Sequence, residues 1–252
     1  MILIRQTRFG GRLFFRSRIF CSMPIPKTFL AIGAHYDDCV FGIPGILLNA
    51  IRKHHRVVIL SLIGDYSNWP PVQGREAELL KISTRLAEER GMEMRFLKYA
   101  SMHFRLDENT QREVAEVVAE IKPDTAFMLW PQDRHPDHEA AAAICKAALV
   151  QPRTILGRDC PVPSRIYCYD NGPGHTLGFE PNTYVDISAE WAAAREWLGL
   201  LMAFRNKTEY DPAKLDRATQ LKETITQYRG AACGVSHAEA LWSMRPYPVE
   251  WT

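Results

Sequence analysis

The sequence predicts an α/β fold, a three-layer, Rossmann-like domain with a mainly parallel sheet and helices on both faces. Apolar runs of strand length alternate along the chain with amphipathic helical patterns, the signature of repeated crossovers between parallel strands. A chain of 252 residues is long enough to bury the core of one such domain. Two segments rich in His and Asp, residues 34–38 and 135–138, each follow a run that reads as a buried strand. Parallel sheets form their ligand sites at that place, beyond the carboxyl ends of the strands.

The elements follow in order. Residues 28–33 form the first strand, 46–55 a helix, and 56–63 a second strand bounded by Gly64. Residues 75–90 read as an amphipathic helix ended by Gly91 at the C′ position, and 94–99 as a third strand. In residues 108–121, Val114, Val117, Val118 and Ile121 make a helical stripe closed by Pro123. The strand 124–130 comes next, then a helix over 139–150 and a Pro-containing connection over 151–163. Strands are expected at 165–169 and 183–187, and long helices at 188–205 and 212–228, with Ser188 and Asp211 as caps and Pro212 at the first helical position.

Residues 1–22 stand apart, with Arg5, Arg8, Arg12, Arg16 and Arg18 among Phe and Ile and no acid before Asp37. A basic targeting or membrane-surface peptide is one reading. A disordered extension, or a natural start at Met23, is favoured, because Met23-Pro-Ile-Pro-Lys leads straight into the first strand. The expected organisation is therefore this extension followed by a single domain over 23–252.

A net charge of +2 and 46% hydrophobic residues lack the basic excess of a nucleic-acid binder. The longest apolar runs are strand-sized, far below the roughly 20 residues of a membrane span. The six cysteines include no Cys-x-x-Cys pair, which fits buried thiols in a reducing, cytoplasmic setting. Trp191, Trp197, Leu198, Leu201 and Met202 read as core or subunit contacts, so a homo-oligomer stays open.

A catalytic zinc site takes three protein ligands and keeps a fourth position for water, whose pKa falls to about 7. His35, Asp38 and His138 meet that requirement as a His-Asp-His set holding one zinc ion per chain. Asp37, beside the ligand Asp38 but not itself a ligand, is placed to act as general base. His135 can face the oxyanion as imidazolium, with Asp137 orienting it and stabilising its charge. Singly, an Asp-Asp pair reads as a helix cap and His-Pro-Asp-His as a turn; their joint position after two strands is what argues for a site. Candidates for substrate contact are Asp65, Tyr66 and Trp69 in the loop after the second strand, where an aromatic ring can stack on a sugar, together with His175 in the Asn171-Gly-Pro-Gly-His175 loop. His54, His55, His103 and His237 have no motif context.

Ala34-His35-Tyr36-Asp37-Asp38 with His135-Pro136-Asp137-His138 resembles the two signature motifs of the LmbE-like, or PIG-L-type, zinc deacetylases. Tyr184-Val-Asp-Ile-Ser188 and Ala238-Glu239-Ala240-Leu241 look like later landmarks of that family, and the resemblance spans roughly residues 28–245. It implies His35, Asp38 and His138 as metal ligands, Asp37 as general base, His135 as the assisting histidine, and removal of an acyl group from an amine. N-acetylglucosamine-type glycoconjugates are the substrates it suggests. Tyr36 replaces the family's usual proline and Cys39 its usual glutamate. Cys39 reads as a packed thiol rather than a fourth ligand, and Arg75 is the nearest counterpart of a substrate-gripping arginine. Three rival readings remain: hydrolysis of another amide or acyl ester, a metal- or ligand-binding module without turnover, and a non-haem iron triad of His35, Asp37 and His138. The α/β alternation argues against the last.

Overall fold

The computed structural model describes residues 25–248, so the extension expected at 1–22 lies outside the described residues. Seven strands form one mixed, mostly parallel sheet in the order β3-β2-β1-β4-β5-β7-β6. They are β1 (Thr28–Gly33), β2 (Arg56–Asp65), β3 (Glu93–Ala100), β4 (Thr125–Leu129), β5 (Arg165–Tyr169), β6 (Thr183–Asp186) and β7 (Ala238–Ser243). The first five pair in parallel, and β7 runs antiparallel to both β5 and β6. Leu30, Ile32, Val58, Leu60, Phe127 and Leu129 on the central strands are buried, as expected for strands covered on both faces.

The helices are α1 (Asp38–Gly42), α2 (Pro44–Arg52), α3 (Glu76–Glu88), α4 (Glu108–Ile121), α5 (Pro136–Val150), α6 (Pro152–Leu156), α7 (Trp191–Asn206) and α8 (Arg217–Cys233). α2 and α3 both pack on α7, which touches α8, while α4, α5 and α6 pack together. Right-handed crossovers account for the two groups, since the chain leaves β1 towards β2 in one direction and β4 towards β5 in the other. β1 and β4 are direct neighbours, with Leu30 opposite Ala126. The strand order reverses between them, and the crevice beyond such a switch point is where ligands bind.

Several boundaries differ from expectation. The first helix begins eight positions early at Asp38 and is broken at Ile43 (φ −140°, ψ 34°), because the ring of Pro44 excludes the preceding residue from the helical region. Ser188 does not cap α7; it donates both its N–H and hydroxyl to Asp186 Oδ1 at 2.9 and 2.6 Å, and the helix starts from Glu190. Asp211 closes a turn through Ala213 N–H (2.9 Å). The last helix starts instead at Arg217, where Asp216 Oδ1 accepts from Ala218 and Thr219 N–H at 2.8 and 3.2 Å. α6 occupies part of the expected connection, and Ala238–Ser243, read only as a landmark, is an interior strand.

Candidate metal centre

Gly33 ends β1 and allows the chain to fold back tightly: a Cβ there would stand 2.7 Å from Asp38 Cβ. Asp38, at the first position of α1, puts a carboxylate at the positive end of that short helix. Its Oδ2 accepts the His35 N–H at 2.7 Å and its Oδ1 the Asn171 Nδ2–H at 2.8 Å. Asp37 occupies the N-cap position yet makes no side-chain cap bond, and it lines the adjoining cavity. Across the switch point, Pro136 opens α5 at its first position, where proline suits a helix start. His138 follows in the same turn.

The three expected ligands converge. His35 Nδ1 lies 3.2 Å from His138 Nε2, His138 Nε2 lies 3.2 Å from Asp38 Oδ1, and His35 Nδ1 lies 3.6 Å from Asp38 Oδ2. The far nitrogen of each ring meets another carboxylate: His35 Nε2 is 3.1 Å from Asp137 Oδ2, and His138 Nδ1 is 3.1 Å from Asp133 Oδ1. The Asp137 carboxylate accepts from His35 Nε2–H, which frees His35 Nδ1 to offer a lone pair beside Asp38, and His138 Nε2 faces the same point. Two ring nitrogens and a carboxylate oxygen facing one point could hold a cation there. Two nitrogens at about 2.0–2.1 Å from a tetrahedral zinc ion lie roughly 3.3 Å apart, which the 3.2 Å spacing matches. Paired outer carboxylates are also what metal-bound imidazoles usually carry. His35, Asp38 and His138 therefore fit a zinc ion, whereas Asp37, the carboxylate of the iron-triad reading, is not among the converging ligand atoms.

In the absence of a cation, the surrounding carboxylates favour positive charge on both rings, so a bound ion would displace a proton from each of them. Burial works to lower the His35 pKa, but the charge of Asp38 and bonds to Asp137 and Asp38 outweigh it and raise it to about 9. Burial is likewise outweighed at His138, where Asp38 and Asp133 raise the pKa to about 10. Asp38 is held well below the usual carboxylate range, against its burial, by the two histidines. Asp37 moves the other way, raised by burial and then by the charge of Asp38. Two neighbouring carboxylates are thus differentiated, which is how one site separates ligand from base.

His135 differs from expectation. Its pKa is lowered by burial and by His35 and His138, which favours a neutral ring over the expected imidazolium. Its Nδ1 accepts the Asp137 N–H at 3.2 Å, leaving Nε2 to carry the proton and donate. Asp137 sits closer to His35 than to His135, at 3.1 against 3.9 Å. It is held in turn by the Ser101 hydroxyl at 2.6 Å and Met102 N–H at 2.8 Å.

A cavity of about 860 Å³ opens over these groups. Tyr66, Trp69 and His175 line it as anticipated; Tyr36, Tyr66 and Trp69 form a cluster with ring centroids 5.7–6.0 Å apart. Asp65 and Arg75 are not part of its wall. Asp65 is exposed and accepts the Ser67 N–H at 2.9 Å, while Arg75 donates to the carbonyls of Phe204 and Pro71 and lies over the Phe204 ring. Cys39 is a buried thiol, its pKa pushed up by burial, 3.3 Å from the Tyr169 hydroxyl. Leu198 and Met202, read as core or subunit contacts, line the cavity. Sequence reasoning missed Asp133, Ser101 and Asn171, which lie against His138, Asp137 and Asp38, and Arg205 and Arg217 on the cavity wall. Only Asp133 had a signal, an acid two residues before a candidate metal motif.

Fold and site together define an α/β protein with a His-Asp-His cluster that could hold a metal ion at the switch point of its sheet. Residues 30–149 match the family described as PIG-L: GlcNAc-PI de-N-acetylase, the LmbE-like family that the two motifs resemble. That match supports a hydrolase of the deacetylase type. Among solved structures, the conserved protein TT1542 from Thermus thermophilus superposes with a TM-score of 0.72 at 23% identity, covering 90% of this chain and 97% of that one. The 4-carboxy-2-hydroxymuconate hydratase GalB from Pseudomonas putida gives 0.71 at 18% identity, over 90% and 99%. The N,N'-diacetylchitobiose deacetylase from Pyrococcus horikoshii gives 0.69 at 19%, over 86% and 84%. These likenesses show the fold, which a hydratase and a deacetylase share, so the site must decide the reaction.

Proposed function

We propose that this protein is a zinc-dependent N-deacylase that removes an acetyl or related acyl group from the amine of an amino sugar or similar small glycoconjugate. The observation that carries this is the division of labour around Asp38: three possible ligand atoms converge, and beside them Asp37 faces the cavity with no cap bond and a raised pKa. Zinc held by His35, Asp38 and His138 supplies Lewis acidity and acidifies water. Asp37 accepts the proton of the water that attacks the amide carbon and returns it to the leaving amine as the C–N bond breaks, giving a carboxylic acid and a free amine. His135, through Nε2–H, donates to the oxyanion that develops on the carbonyl oxygen. Asp137 and Asp133 keep both histidine ligands oriented.

The described cysteines are all free, four of them buried, which supports a reducing, cytoplasmic setting. The family match rather than any feature of the cavity supports the sugar. The test is metal content paired with acetate release from N-acetylglucosamine and its glycosides, with and without chelator. One zinc per chain and chelator-sensitive release are expected; zinc without release from any N-acyl substrate would move the reading to a metal-binding domain.

A further inference from the structure

We propose that the substrate of this site carries an anionic group, phosphate or carboxylate, which Arg205 and Arg217 bind on the cavity wall. The inference rests on the deacylase reading and names the substrate's charge. Arg205 in the last turn of α7 and Arg217 at the first position of α8 line the same cavity as His35, Asp37, Asp38 and His138. Among the described residues, neither guanidinium has a carboxylate within ion-pairing distance, whereas other arginines of the same two helices do: Arg195 with Glu223 at 3.7 Å and Arg229 with Asp170 at 2.5 Å. Arg205 is partly buried, 5.7 Å from the Trp69 ring centroid, on a wall that also contains Leu198 and Met202.

A guanidinium set against aromatic and aliphatic groups loses hydration that only a counter-ion or hydrogen-bond acceptors restore. Its planar fork of donors matches the paired oxygens of phosphate or carboxylate. A neutral sugar has no group of that kind. Arg205 and Asp37 line the same cavity without forming an ion pair. An anion held there thus lies near the reacting amide. Arg217 is exposed, suited to drawing a charged substrate towards the opening.

The experiment follows acetate release by the zinc-loaded protein from N-acetylglucosamine, N-acetylglucosamine 1-phosphate and N-acetylmuramic acid. Binding of the same three compounds to the Asp37→Asn protein is measured in parallel by calorimetry. The expected result is a kcat/KM about tenfold or more higher for a charged probe than for the neutral one, carried by KM. Arg205→Gln moves that ratio towards one, and Arg217→Gln moves it less. The charged probe that wins separates phosphate from carboxylate. Equal kcat/KM for all three, or a ratio that neither substitution moves, overturns the proposal. If no probe releases acetate, the deacylase reading fails, and the binding series still decides the anion: tighter charged binding that Arg205→Gln abolishes supports it, and equal binding of all three refutes it.

Discussion

Asp37 and Asp38 share a sequence neighbourhood and differ in environment. Asp38 accepts hydrogen bonds and faces two imidazoles, while Asp37 has no cap bond and lies under the charge of its neighbour. Asp37→Asn is therefore expected to keep one zinc per chain and lose roughly 10²–10⁴-fold in kcat, the range for removing a general base; metal analysis beside initial rates checks both halves, and loss of zinc would refute the role. Asp133 reaches His138 Nδ1 at 3.1 Å and accepts the His135 N–H at 2.8 Å. Asp133→Ala is expected to weaken zinc by about 10–100-fold, as for other outer-shell partners, in a chelator competition; unchanged affinity would show that His138 needs no orienting carboxylate. The candidate ligands could be named from the sequence because metal chemistry constrains residue type and the two motifs are short. Ser101 and Asn171 were not, since a hydroxyl or amide supporting a carboxylate leaves no spacing to read and arrives from a distant loop.

At the scale of elements, the site is braced by α8. Lys222 and Glu239 are buried, with Nζ and Oε1 3.0 Å apart. Glu239 accepts from Gly45 and Ile46 N–H at 3.1 and 2.8 Å at the start of α2, while Lys222 donates to the Gly42 carbonyl at 2.8 Å at the end of α1. One ion pair thus closes both sides of the break that Pro44 imposes. Farther along the helix, Arg229 pairs with Asp170, whose other oxygen accepts the Gly172 N–H at 3.1 Å, fixing the loop that presents Asn171 to Asp38. Lys222→Met leaves Glu239 charged and buried, and is expected to cost about 3–5 kcal/mol of stability in denaturant unfolding. Adding Glu239→Gln removes the stranded charge while keeping an acceptor for α2, so the double variant should recover part of the loss; equal destabilisation of single and double variants would show that the pair is not coupled. The landmark at 238–241 was visible in the sequence, but its role was not, because a strand that caps a helix nearly two hundred residues away leaves no local pattern. The same holds for α8, where Asp216, not Asp211, captures the first free N–H groups.

For the whole molecule, the candidate ligands come from opposite sides of the switch point: His35 and Asp38 from the β1 connection, His138 from the β4 connection. The strand and helix alternation made the parallel sheet readable, and the two motifs placed the site after β1 and β4. Their adjacency was a condition the sequence could state but not fulfil, since strand order depends on crossovers that no local window encodes. Those two connections are fixed in space relative to each other only in the folded chain, so the complete ligand set exists only there, and zinc should bind the native state in strong preference to the unfolded one. At free zinc near 100 times its dissociation constant, linkage adds about 2.7 kcal/mol to the native state. For a domain of this size, that raises Tm by roughly 5–10 °C, provided unfolding is reversible and two-state. Scanning calorimetry with and without zinc should show the shift in the native sequence and lose it in His138→Ala, which removes the single ligand supplied from beyond β4. A shift that persists in His138→Ala would mean that zinc stabilises the protein from another place, and the joining of the two βα connections by one ion would have to be abandoned.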